Sequence, residues 1–200
     1  CSNKDMETAI RFFNDMAEGG IKRSQVTYNT LIKGYSALGD LDNVSAMFAA
    51  MEANGITPDT SSYCGLLSCV ARIPDLDEVF RIIREMENHG LRLDSYVLSI
   101  VMQAARRTEC PDKGTRALSL LDREDINPFE DVICFNTVLD ACIRHHCFKH
   151  LDRAVKGFLK PGCKVKPTAR TFGLIIRACA MLGRFAQSLD VWKEMLRRGV

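Results

Sequence analysis

A pattern that returns every 35 residues constrains the fold of this chain more than any other feature. In residues 25–59, apolar residues recur at three- and four-residue steps on both sides of Gly39, which predicts two amphipathic helices joined by a short turn. Gly55 and Pro58 follow the second helix as a stop signal. A single helical hairpin cannot bury its apolar face alone, so the pattern predicts stacked hairpins.

The same pattern divides the whole chain into repeats. They span 1–24 (partial), 25–59, 60–94, 95–131, 132–168 and 169–200 (nearly complete). The units 95–131 and 132–168 have 37 residues, two more than the 35 of the units 25–59 and 60–94. We expect the surplus between the two helices, at 108–114 and 145–150. The N-terminal stretch enters mid-repeat without an initiator methionine or a targeting segment, so we expect the chain to be an internal piece of a longer protein.

The repeat resembles the pentatricopeptide repeat family. The resemblance is carried by the run VTYNTLI at 26–32 and by Gly39, Met51, Gly55-Ile56 and Pro58-Asp59. The competing tetratricopeptide repeat has a period of 34 and a different aromatic and alanine signature. The resemblance implies an all-α fold, a right-handed superhelical α-solenoid whose first helices line the concave side. It also implies a non-enzymatic adapter that binds single-stranded RNA in organellar RNA processing, stability or translation, in a mitochondrion or a chloroplast.

Composition limits how such a chain can bind RNA. The formal net charge is +2 and the pI about 8.1, so affinity must come from local clusters of Lys and Arg. The nine cysteines are scattered through apolar helical positions, which favours reduced, mostly buried thiols over a disulfide framework. No apolar run approaches the ~20 residues that a membrane span needs.

The resemblance assigns base reading to two residues per repeat, one after the first-helix aromatic and one closing the repeat. The pairs are Asn29 with Asp59, Cys64 with Asp94, Ser99 with Asp131, and Asn136 with Thr168, while Gly173 has no partner within the chain. The family's code implies uracil for the first pair, guanine for the third and a pyrimidine for the fourth. Cys64 and Gly173 fall outside the code, because a thiol is a weak hydrogen-bonding group and glycine offers none.

These polar positions also have a structural interpretation. Asn favours the first turn of a helix, which is an alternative role for Asn29 and Asn136. The closing acids Asp59, Asp94 and Asp131 each precede a new first helix, where a carboxylate accepts amide hydrogens and complements the helix dipole. Capping and base contact are compatible.

Two further sets complete the expected RNA surface. Val26, Tyr96 and Ile133 precede the aromatic positions, where the resemblance implies side chains that sandwich bases, and their apolar groups suit stacking. Arg72, Arg107 and Arg144 lie eight residues after Cys64, Ser99 and Asn136, where the family commonly carries a cation that meets phosphate. The alternative for these arginines is an interaction with the dipole at a helix C-terminus.

Other functions have weaker support in the sequence. Cys142, His145, His146, Cys147 and His150 suggest a metal site by spacing alone, but they fall at the turn between helices without a second ligand pair, so we interpret them as an incidental exposed cluster. No glycine-rich phosphate loop or nucleophile elbow is present, and we expect neither catalytic residues nor a cofactor. Two alternatives stay open: a scaffold subunit of an organellar ribosome or other ribonucleoprotein, and a catalytic domain elsewhere in the protein.

Overall fold

The computed structural model describes residues 3–73, 75–129, 131–160 and 163–199, with side chains from residue 5 onward. This part of the chain contains eleven α-helices, one 3₁₀ helix and no strand, so the all-helical prediction is confirmed. None of the described helices is long and apolar enough to cross a membrane. The helices group into two compact units, Cys1–Arg92 and Leu93–Val200.

The first unit contains one single helix and two hairpins. Its helices are α1 (Asn3–Glu18), α2 (Gln25–Leu38), α3 (Leu41–Ala53), α4 (Thr60–Val70) and α5 (Leu76–Asn88). Neighbouring elements are joined by edge-to-face aromatic pairs: the rings of Phe13 and Tyr28 lie 5.2 Å apart, and those of Phe48 and Tyr63 lie 5.3 Å apart. Both tyrosines are fully buried. The recurring aromatic therefore seals each first helix against the preceding second helix.

The second unit contains three hairpins. Its helices are α6 (Ser95–Arg107), α7 (Pro111–Leu118), a 3₁₀ helix (Ser119–Asp122), α8 (Val132–Arg144), α9 (Phe148–Leu159), α10 (Ala169–Met181) and α11 (Phe185–Arg197). Phenylalanines take over the aromatic role. Phe135 lies 5.8 Å from Phe158, which makes an edge contact with Phe172 at 6.2 Å. The core again runs along the junctions between hairpins.

The residue that closes each repeat caps the next first helix, as the sequence indicates. The side-chain oxygens of Asp59, Asp94 and Asp131 accept the backbone N–H three residues further on, at 2.9, 2.8 and 2.7 Å. Ser24 and Thr168 do the same with their hydroxyl groups. Each cap satisfies an amide that would otherwise lack a partner at the helix start, so these positions fix where the first helices begin.

The expected position of the surplus residues is wrong. Leu41 and Phe148, which open the second helices, both lie 12 residues after Asn29 and Asn136, so the turn at 145–150 carries no insertion. Pro111 keeps the same spacing from Ser99, so 108–114 carries none either. The two extra residues follow the second helices instead, where the chain runs as the 3₁₀ helix and loop up to Asp131, and in the segment between Leu159 and Thr168. A connection between repeats accepts extra residues without changing the spacing of the two helices within a hairpin.

Candidate nucleic-acid interface

Asn29 is held by the residue that closes its own repeat and by the first turn of the next. Its Nδ2 donates to Asp59 Oδ1 at 3.1 Å, and its Oδ1 accepts from Ser62 Oγ at 2.6 Å. The same Asp59 oxygen accepts the Ser62 backbone N–H at 2.9 Å. The half-buried amide is thus fixed in one orientation by groups about one repeat away in sequence. By count, one Nδ2 hydrogen and one Oδ1 lone pair remain.

Asn136 occupies the equivalent position in the second unit without an equivalent network. It is 8% exposed, and its Oδ1 is buried with no hydrogen-bond partner among the described residues. Thr168 stands where the first unit has Asp59, and its hydroxyl lies 3.1 Å from that of Thr171, within its own capping box. Thr171, the counterpart of Ser62, therefore faces Thr168. The amide of Asn136 is left with an unmet acceptor.

The other predicted base-reading positions offer fewer polar groups. Cys64 is buried at 8% exposure, and Ser99 donates its hydroxyl to the Ser95 carbonyl oxygen at 2.9 Å within its own helix. Asp94 and Asp131 are used as helix caps. Gly173 is exposed, and a Cβ added there would meet nothing within 4 Å, so this position is open space.

The three predicted stacking residues are apolar side chains exposed to solvent. Val26 is 73% exposed, Tyr96 59% and Ile133 68%. Each is the second residue of a first helix, directly after the N-terminal residue. Exposure of large apolar side chains at the same place in three repeats favours a contact surface over a core role.

A basic groove lies at the C-terminal ends of the three first helices of the second unit. Its volume is about 670 Å³. Arg107 and Arg144 line it, as do two arginines that the sequence interpretation missed, Arg106 and Arg177; the remaining lining residues are Asp140, Ile143, His146 and Met181. The groove therefore collects guanidinium groups from three consecutive repeats.

The single acid among these lining residues is already neutralised. Asp140 Oδ2 lies 2.9 Å from Arg106 Nη1 and 3.4 Å from Arg170 Nη2. Within the described ranges, no ion pair engages Arg144 or Arg177. A cationic groove with its only lining carboxylate paired is suited to an anionic chain.

Arg177 could have been found from the sequence. It lies four residues after Gly173 and four before Met181, so it shares their helix face. The position eight residues after Gly173, which corresponds to Arg72, Arg107 and Arg144, carries Met181 instead. Arg106 and Asp140 were harder to find, because their ion pair joins residues 34 apart in sequence.

Arg72 takes a different role in the first unit. Its Nη2 donates to the Ala37 carbonyl oxygen at 3.2 Å, close to the C-terminus of the preceding first helix. Its Nη1 lies beside Gly39, which has the left-handed backbone angle φ +78° of a helix stop. The geometry supports the helix-end alternative for this arginine.

The Cys/His cluster is more ordered than an incidental exposed turn. Cys142 and His150 are buried, which corrects our interpretation, while His145 and Cys147 are half-buried. The described residues contain no group of three or more His, Cys, Asp or Glu side chains arranged to hold a metal ion.

Comparison with protein-family models gives two matches. The model described as the PPR repeat family matches residues 1–34 and 23–72, and the model described as the PPR repeat matches residues 170–200. Together they span more than half of the chain. The chain belongs to the pentatricopeptide repeat family. A comparison with curated protein sequences gives no match.

Solved structures show that this pentatricopeptide repeat chain has the fold of its family. The pentatricopeptide repeat protein PPR10, solved in complex with an 18-nucleotide psaJ RNA element, superposes with a TM-score of 0.76 at 19% identity. The match covers 100% of this chain and 28% of that chain. The nuclear proteinaceous RNase P 2 of A. thaliana gives 0.58 at 12% identity, covering 86% of this chain and 38% of that one. The α-solenoid prediction is confirmed.

Proposed function

We propose that this protein binds single-stranded RNA across the first-helix face of its second unit. The observation that carries the proposal is the pairing of two features on the same helices. Exposed apolar side chains, Tyr96 and Ile133, stand at the N-terminal ends of α6 and α8. The arginine groove lies at their C-terminal ends.

The two ends suit the two parts of a nucleotide. Bases stack on exposed aromatic and apolar groups with little sequence preference, at ~1–3 kcal/mol per base when an aromatic platform is removed. Guanidinium groups bind phosphate oxygens through paired N–H donors. Tyr96 and Ile133 would therefore contact bases while Arg107, Arg144 and Arg177 contact the backbone.

The salt dependence of binding tests the phosphate contacts. Changing Arg107, Arg144 and Arg177 together to Ala should weaken binding of every single-stranded RNA alike. It should also flatten the slope of log K against log salt by about two, at ~0.7 per phosphate contact. A charge-matched control changes Lys22, Arg92 and Lys193, which lie outside the groove. Equal slopes in the two triple variants would contradict the proposal.

We also propose that one repeat reads its base. Asn29 retains a free amide hydrogen and a free carbonyl lone pair after its bonds to Asp59 and Ser62, which suits the edge of uracil. Following the family's code, Asn29→Thr should move the preference of this repeat towards guanine, with a discrimination of roughly 1–3 kcal/mol. Selection from a random RNA pool with both versions measures the change.

A second candidate is a scaffold that holds RNA, or a ribosomal or other ribonucleoprotein partner, without reading sequence. Three positions favour this candidate, because each weakens base recognition in its own repeat. Cys64 is buried, Gly173 has no side chain, and the Oδ1 of Asn136 is buried without a hydrogen-bond partner among the described residues. The same selection separates the two. Pools with no preference opposite Asn29, together with an intact salt slope, would support the scaffold.

We propose a mitochondrion or chloroplast as the place of action on the basis of the family resemblance. Imaging of the tagged full-length protein against markers of both organelles tests this. A purely nuclear signal would overturn it.

A further inference from the structure

A thiol, an imidazole and a carboxylate lie in a row in the second unit, and none of the three side chains lines the arginine groove. Cys147 Sγ lies 2.9 Å from His150 Nδ1, and His150 Nε2 lies 3.2 Å from Asp122 Oδ1. Cys147 is half-buried, while His150 is only 7% exposed. A nucleophile within hydrogen-bonding reach of a base, with a third group behind that base, is the arrangement that activates thiols.

The fold brings the three groups together from two segments. Cys147 is the N-cap residue of α9 and His150 is the third residue of that helix, so both lie in its first turn. The Cys147 side chain makes no capping bond, and its backbone N–H donates to the Cys142 carbonyl oxygen at 2.9 Å. Asp122 ends the 3₁₀ helix that follows α7. The Sγ is thereby left to face the imidazole.

Charged groups around these three side chains favour transfer of the Cys147 Sγ proton to His150. The N-terminus of α9 presents the positive end of its dipole to Cys147. The hydrogen bond from Lys149 Nζ, at 2.9 Å, and the neighbouring His150 hold the pKa of Asp122 below its ordinary value. An ionised carboxylate beside Nε2 stabilises the imidazolium that forms when Nδ1 takes a proton. The Nε2–Oδ1 approach is an ion-pair distance; Nε2 has no directed hydrogen bond to any described group.

We propose that Cys147 is a nucleophilic thiol that forms mixed disulfides with low-molecular-weight disulfides such as oxidised glutathione, with His150 as its base. The Sγ proton passes to His150 Nδ1, and the thiolate attacks one sulfur of the small disulfide. A Cys147–sulfur bond forms as the bond between the two small-molecule sulfurs breaks. The leaving thiolate takes the proton from Nδ1, so Cys147 is oxidised while the small molecule is reduced to one thiol.

Cys110 provides a matched control within the same chain. It lies 37 residues before Cys147, the length of one long repeat, and is the N-cap of α7 without a side-chain capping bond. It is also more exposed than Cys147. Lys113 stands where Cys147 has His150. Each cysteine thus stands at the N-terminus of its own helix, but only Cys147 has an imidazole three residues further on.

The test is competitive labelling of the native, reduced full chain with oxidised glutathione at pH 7, with each cysteine quantified by peptide mass spectrometry. Only a few per cent of an ordinary thiol is ionised at this pH. We therefore expect Cys147 to react at least about tenfold faster than Cys110, since His150 accepts the Sγ proton as the sulfur attacks, whereas Cys110 has Lys113 in the place of this base. Equal rates, or a faster Cys110, would overturn the proposal.

Two variants test whether the rate of Cys147 depends on His150 as a base or only on the exposure of the thiol. His150→Gln should reduce the Cys147 rate to that of Cys110, because the base that takes the Sγ proton is lost. Lys113→His, at the half-buried position of α7 that corresponds to His150, should raise the Cys110 rate severalfold while leaving Cys147 and His150 unchanged. Buried Cys142 and Cys134 report on folding, because they stay unlabelled only while the chain is folded. If His150→Gln unfolds the protein, the proposal is tested by the relative rates of Cys147 and Cys110 in the native protein and by the Lys113→His variant.

Discussion

The hairpins at 25–59 and 132–168 carry the same residue at the same place and treat it differently. Asn29 is bound on both sides, by Asp59 and Ser62, whereas Asn136 is buried with an unmet Oδ1. The difference lies in the closing residue. Asp59 carries its Oδ1 on a longer side chain, and this one oxygen serves both the cap and the amide, while the hydroxyl of Thr168 is occupied by its own capping box. The orientation of this asparagine therefore depends on the residue that closes its repeat, about 30 residues further on.

Substitution of the buried aromatic residue of a hairpin should give the largest change in the free energy of unfolding. Phe135 is fully buried between Phe129 and Phe158. Phe135→Ala should lower the free energy of unfolding by about 3–5 kcal/mol, through lost burial and a cavity. In the first hairpin, Tyr28→Phe keeps the ring and loses only the bond from Asn54 Nδ2, for about 1 kcal/mol. Urea denaturation measures both, and similar losses would contradict this packing.

Removal of the closing carboxylate should break the first hairpin's network. Asp59→Ala loses the cap of α4 and the acceptor of the Asn29 amide together, so we expect a cost of about 1–2 kcal/mol. Thr168→Ala loses only a cap, at about 1 kcal/mol or less. Thermal unfolding of both variants makes the comparison. A Thr168→Ala loss as large as that of Asp59→Ala would show that the Asn29 network adds nothing.

The network should also be transferable. Thr168→Asp supplies a carboxylate to the second hairpin and releases Thr171 to donate to Asn136 Oδ1, as Ser62 does to Asn29. We expect a gain of about 1 kcal/mol, because a buried acceptor becomes satisfied. Base preference opposite this repeat should move towards that of the first hairpin. Thr168→Asn is the neutral control, and an unchanged stability with Thr168→Asp would argue against the network as the cause of the difference.

The smallest effect concerns the empty position in the last hairpin. A Cβ at Gly173 meets nothing within 4 Å, so Gly173→Ala should stabilise α10 by about 0.5–1 kcal/mol through helix propensity alone. Gly65→Ala is the matched opposite, because its Cβ would collide with the side chain of Ile32. We expect that variant to be destabilised despite the same propensity gain. Melting temperatures decide, and the prediction fails if both shift in the same direction.

Local sequence was sufficient for most of the fold. The three- and four-residue apolar spacing, the closing acids and the recurring aromatic predicted the hairpins, the caps and the buried seams. The hairpins and the caps depend on residues within one or two helical turns of each other, so periodicity alone records them. The family resemblance selected Val26, Tyr96 and Ile133, which the structure leaves exposed.

Tertiary structure decided what depends on distant partners. The surplus residues lie after the second helices, while the spacing between the two helices of each hairpin stays constant. The Asn29 network joins residues about 30 apart, and the groove gathers arginines from three repeats. His150 meets Asp122 only because α9 packs beside the 3₁₀ helix that ends the preceding repeat's second helix. A repeat pattern specifies each unit, whereas a hydrogen bond or a charge cluster depends on how consecutive units stack.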